Sequence, residues 1–83
     1  MPYIKKEDRP KFEAALKLIP KMLKKGELEY CIFWLMKEYL QGKDICYSTL
    51  HDTTYAAQHC ADEFRRRYLD EREDKAMAEN GDV

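Results

Sequence analysis

STLHDTTYAAQHCADEFRRRYLDEREDKAMAE, residues 48–79, runs without proline or glycine and reads as one helix. At ~1.5 Å rise per residue it spans roughly 45 Å, far beyond the ~11–12 residues of an ordinary helix. A chain of 83 residues is too short to cover such a rod, so part of the rod's apolar stripe is expected to meet another copy. Leu50, Thr54, Ala57, Ala61, Phe64 and Tyr68 alternate at spacings of four and three. That is a heptad-like seam, with small residues in its middle that let a partner helix come close. Ser48 is the expected N-cap, ahead of Thr49, and Asp52 sits in the favourable first turn. After Leu69 the pattern turns almost wholly charged (Asp70, Glu71, Arg72, Glu73, Asp74, Lys75), as in a solvated or fraying end, and residues 80–83 read as a tail.

Upstream, Gly42 to Tyr47 is a connecting loop, and a second helix is expected from about Glu27 to Gln41. Leu28, Cys31, Ile32, Leu35, Met36, Tyr39 and Leu40 give it a wide apolar face. Tyr30, Phe33 and Trp34 add aromatic surface, which fits packing on both sides of a central helix, or a subunit contact or stacking platform. The first helix is expected to be capped by Asp8 or Glu7, with Pro10 in its first turn and Phe12, Ala15, Leu16, Ile19, Met22 and Leu23 at helical spacing. Pro20 should kink it or end its first part, and Gly26 should stop it. Residues 1–6 read as an extended arm. The expected fold is all-α: a single domain over 1–83, with three helices, a short arm and a long last helix that oligomerises through helix packing.

Composition narrows the function. A chain this short buries only about 60% of its unfolded surface, so its core needs help. Cys31, Cys46 and Cys60 are odd in number and lack paired spacing, which favours free thiols, with Cys60 as a core thiol. No apolar run approaches a membrane span and the start has no h-region, so a soluble cytoplasmic protein is expected. Residues 1–25 carry eight Lys/Arg against three acids, whereas 26–60 and 61–83 are each net −3. A basic end facing an acidic end favours attraction between copies over general DNA or RNA binding, which would want a dominant basic face.

A second stripe of the long helix carries the chemistry. His51, Tyr55, His59, Asp62 and Arg66 follow one another at steps of four, four, three and four, flanked by Arg65 and Arg67. Rings that stack, an imidazole that titrates near neutrality and guanidinium forks suit a phosphate-bearing ligand. The plain alternative is a polar helix face with Asp62 paired to Arg66 and to His59. No metal site is expected, since His51 and His59 are two turns apart and zinc would need ligands from elsewhere. His59 and Cys60 point about 100° apart and are not a nucleophile pair. There is no glycine-rich phosphate loop and no serine elbow, so no catalytic residue and no cofactor is assigned.

Met1-Pro2-Tyr3-Ile4, Gly26-Glu27-Leu28-Glu29-Tyr30, Cys60-Ala61-Asp62-Glu63-Phe64-Arg65-Arg66-Arg67, Glu73-Asp74-Lys75 and Glu79-Asn80-Gly81-Asp82-Val83 together resemble a family of short proteins, mostly of tailed phages and prophages, that carries a domain of unknown function. The chain departs from it at Glu29, where the family more often has Asn, and at Leu69-Asp70-Glu71, where a Pro often breaks the last helix. The resemblance implies a phage accessory protein in the bacterial cytoplasm. By analogy with small helical phage oligomers that capture nucleotide immune signals, it implies an anti-defence sponge. Tyr55 or Trp34 would stack, His59 would hydrogen-bond, and Arg65, Arg66 or Arg67 would take phosphates, with Tyr3, Lys5 and Lys6 closing over the ligand at a subunit interface. The alternatives are a protein-binding inhibitor or adaptor, and an enzyme resembling a phosphodiesterase with His51 or His59 as acid–base.

Overall fold

A computed structural model describes residues 4–81, and every regular element among them is helical. A 3₁₀ turn at Lys6–Asp8 leads into α1 (Arg9–Leu16), so only Ile4 and Lys5 of the described residues keep the expected extended arm. Tyr3 lies outside the described residues. Helix α1 stops at Leu16 for a reason carried by Pro20, whose ring would strike the carbonyl four residues back. The amides of Leu18 and Ile19 close 3.1 Å bonds to the carbonyls of Ala15 and Leu16 instead.

Helix α2 covers Lys25–Tyr39. Its start corrects the expectation for Gly26, which lies in the first turn of α2 and stops nothing. The Glu27 carboxylate explains the difference: Oε1 accepts the backbone amides of Leu23 at 2.7 Å and Lys24 at 3.1 Å, nucleating a helix just upstream of the glycine. Helix α2 ends at Tyr39, short of the expected Gln41, and Gly42, with φ +77°, turns the chain just beyond it. Lys43 Nζ then donates to the Tyr39 carbonyl at 2.7 Å.

The long rod is present, in three joined parts: α3 (Tyr47–Phe64), a π-helical turn (Arg65–Leu69) and α4 (Asp70–Asn80). From Tyr47 to Asn80, at ~1.5 Å per residue, it runs roughly 50 Å, matching the molecule's longest extent of 51 Å. The rod does not break after Leu69. It widens just before that point, where the Asp70 amide bonds the Arg65 carbonyl. The N-cap is Cys46 and not Ser48, because Thr49 reaches back: its hydroxyl accepts the Cys46 amide at 3.1 Å and donates to the Asp44 carbonyl at 2.7 Å.

The packing is open. Among the described residues helix α3 touches α2, while α1 touches no helix beyond its own 3₁₀ turn. Thr53, 6% exposed, is the one buried residue among those described, and no apolar side chain is buried there. A compact monomer of 9.9 kDa would expose about 5,200 Å² with a radius of gyration near 12 Å. This chain exposes 7896 Å² and has a radius of gyration of 16.5 Å. Cys60, expected in a core, is exposed. Phe12, Leu16, Leu18 and Leu23 of α1 and its following linker also face solvent, as do Tyr30, Phe33 and Trp34 of α2.

Candidate functional site: a ring ladder and an arginine cleft on the long helix

Residues four apart on a helix stand one above the other, and this builds a ladder of rings on α3. Tyr47 and His51 stack with centroids 5.3 Å apart, His51 and Tyr55 meet edge-on at 4.2 Å, and Tyr55 and His59 lie 6.0 Å apart. Tyr47 belongs to the ladder although the sequence places it in a loop. Its signal was the spacing of four to His51, hidden by taking Ser48 as the helix start.

Below His59 lies an open-sided depression of about 380 Å³ lined by His59, Asp62, Glu63, Arg65, Arg66 and Asp70. The three consecutive arginines differ sharply there. Arg66 and Arg67 both bind Glu63, whose side chain is only 13% exposed: Arg66 by a short Nη2–Oε1 contact and Nε–Oε2 at 3.3 Å, Arg67 by Nε–Oε1 at 2.7 Å. These are charge-assisted bonds of the stronger kind. The Glu63 hydrogen bond, and then its charge, raise the Arg66 guanidinium above its ordinary pKa, so it stays charged and held. Among the described residues Arg65 has only loose contacts, 3.8 Å to Asp62 and 3.9 Å to Asp70. Pairs that long and that exposed contribute little and cost little to exchange.

The expected pairing of Asp62 with Arg66 is not formed. Asp62 accepts Gln58 Nε2 at 3.1 Å and faces Arg65, while Arg66 turns to Glu63, three residues back. Glu63 was legible only as a spacing of three and four to Arg66 and Arg67. Asp70 reaches Arg65 across the π turn, which no α-helical spacing foretells. Tyr55, His59, Arg65 and Arg66 therefore lie along one side of the rod, with Arg67 tied in through Glu63. Trp34, on α2, makes no ring contact among the described residues. Among the described residues the 3₁₀ turn holding Lys6 touches only α1, so neither Lys5 nor Lys6 is brought to the ladder there.

Cys46 is the remaining reactive group of note. Its thiol is lowered from the usual value by the Thr49 backbone amide and then the Thr49 hydroxyl, with Sγ 3.7 Å from Oγ1. Among the described residues no group of three or more His, Cys, Asp or Glu is placed to hold a metal ion, and no helix is long and apolar enough to cross a membrane.

These features define an all-helical chain with an unusually open surface and a ring-and-arginine face. The chain belongs to the family of the domain of unknown function DUF6899, whose model matches residues 1–83. No curated protein and no solved structure matches it.

Proposed function

We propose that the protein is a sequestering protein of a phage. In this reading a homo-oligomer holds a small anionic, nucleotide-derived signalling molecule of the host at a subunit interface, without turning it over. The observation that carries the reading is the ring ladder ending at Arg65. Exposed rings offer faces on which a base stacks, with stacking worth ~1–3 kcal/mol per base. Arg65, on its loose carboxylate contacts, can exchange them for a phosphate. Glu63 holds Arg66 in the wall of the cleft. One chain supplies a single open wall, so the ligand needs a second wall from another copy. Trp34, Lys5, Lys6 and Tyr3 are the candidates for that wall.

The test is to incubate purified protein with cyclic dinucleotides and ADP-ribose-derived signals, filter, heat the protein and chromatograph both fractions. Sequestration predicts a compound lost from the filtrate and recovered intact on heating. New products would replace it with an enzyme. Passage of the whole panel unchanged would favour a second reading, a protein-binding inhibitor or adaptor. The exposed aromatic face of α2 speaks for that reading, since Phe33 is 63% exposed and Tyr30 71%.

A further inference from the structure

The seam of the rod has the same spacing from both ends, with small residues at its centre and larger ones towards its ends. Going outward from the level of His59, Ala57, Thr54 and Leu50 follow on one side, and Ala61, Phe64 and Tyr68 on the other, at matching separations. The rings of Phe64 and Tyr68 lie 4.8 Å apart, so the seam continues into the π turn. A seam so spaced can meet a second copy of itself in either direction under a twofold axis, as an isologous interface requires, and charge decides between the two directions. We propose that two copies pair antiparallel along α3, with the axis at the level of His59. Ala57 then faces the partner's Ala61, Thr54 the partner's Phe64, and Leu50 the partner's Tyr68.

Size, charge and dipole agree with a second copy as the occupant. The chain exposes 7896 Å², about 2,700 Å² beyond a compact monomer of its mass. That excess is shared between the α3 seam and the bare faces of α1, its linker and α2, and it exceeds the ~800 Å² per partner that a standard interface covers. Asp70, Glu71, Glu73 and Asp74 cluster in the first half of α4. Parallel pairing would lay two such clusters side by side, whereas antiparallel pairing sets them roughly 40 Å apart, far beyond the ~8 Å screening length. Antiparallel rods also oppose their helix dipoles. The small residues at the centre allow close approach, and the larger ones at both ends fill the widening gap. The ring ladder lies roughly a third of a turn around α3 from the seam, so this pairing leaves the ladder uncovered, and the second wall of the proposed ligand site falls to a further copy. The inference rests on the self-assembly half of the proposed function and is independent of any ligand.

Site-directed crosslinking tests the register. In a full-length background carrying C31S, C46S and C60S, Ala57→Cys and Ala61→Cys chains are oxidised separately and after co-refolding. A disulfide needs Cα atoms about 4.4–6.8 Å apart, so the mixture should give several-fold more covalent dimer than either chain alone. Equal crosslinking of each chain with itself would overturn the antiparallel register, and so would its absence in all three samples. Ala61→Arg, at an exposed position of the single chain, should abolish the dimer in light scattering while circular dichroism keeps its helical signal. A dimer that survives Ala61→Arg also overturns the inference. A positive crosslink with no captured signal would sink the ligand proposal alone.

Discussion

Replacing Thr49 by valine removes one hydroxyl and almost nothing else, and the structure assigns that hydroxyl the start of the long rod. It accepts the Cys46 amide at 3.1 Å and donates to the Asp44 carbonyl at 2.7 Å. Both backbone groups are at the surface, so in the variant water takes them over and no buried group is left unpaired. The loss is then that of a net hydrogen bond and part of a cap, about 1 kcal/mol. For a domain of this size that is a fall in Tm of roughly 4–8 °C, read at one fixed protein concentration because association also stabilises. The hydroxyl is also the second cause of the lowered Cys46 thiol, after the Thr49 amide. Thiolate alkylation of Cys46 near neutral pH should therefore slow in a C31S/C60S background, since a thiol pKa that moves back up leaves less thiolate. Ser48→Ala is the control. It lies inside the first turn of α3 and should change Tm little. If Ser48→Ala costs more than Thr49→Val, the helix starts where its sequence suggests and the capping account is wrong.

The glycines give an opposed pair: Gly42→Ala should cost about 1 kcal/mol because of its φ of +77°, whereas Gly26→Ala, with open space around the new methyl, should gain up to ~1 kcal/mol. Equal urea shifts for the two would refute the helix assignment at residue 26. Pro20→Ala lifts the clash with the Leu16 carbonyl and should extend α1 through the linker, seen as more ellipticity at 222 nm; an unchanged spectrum would mean that Pro20 is not what ends α1. For any captured signal, Arg65→Ala should weaken binding more than Arg67→Ala, whose guanidinium is engaged with Glu63. The reverse order by calorimetry would contradict the assignment of the cleft.

Much of the fold was legible because it is local. The 3.6-residue period, Pro20 and Gly42 mark helices and stops that short-range sterics enforce. The errors in the helix starts were also local, and each came from a side chain reaching back to the backbone. Glu27 draws the start of α2 upstream of Gly26, and Thr49 draws the start of α3 upstream of Ser48. Propensity rules weigh the residue at the cap and miss the one three positions later. In the site, the spacing of four revealed His51, Tyr55 and His59. It missed the π turn, which moves Asp70 to Arg65, and it left open which arginine Glu63 would hold. Which apolar faces one chain leaves bare was not legible, because it depends on how few contacts the helices make with one another.

The most direct test of the account is the molar mass of the protein by light scattering coupled to size exclusion, at micromolar concentration and without ligand. Self-assembly predicts at least twice the 9.9 kDa of the chain, holding on dilution through the micromolar range. A stable 9.9 kDa species would contradict both the twofold seam and a binding site built between subunits.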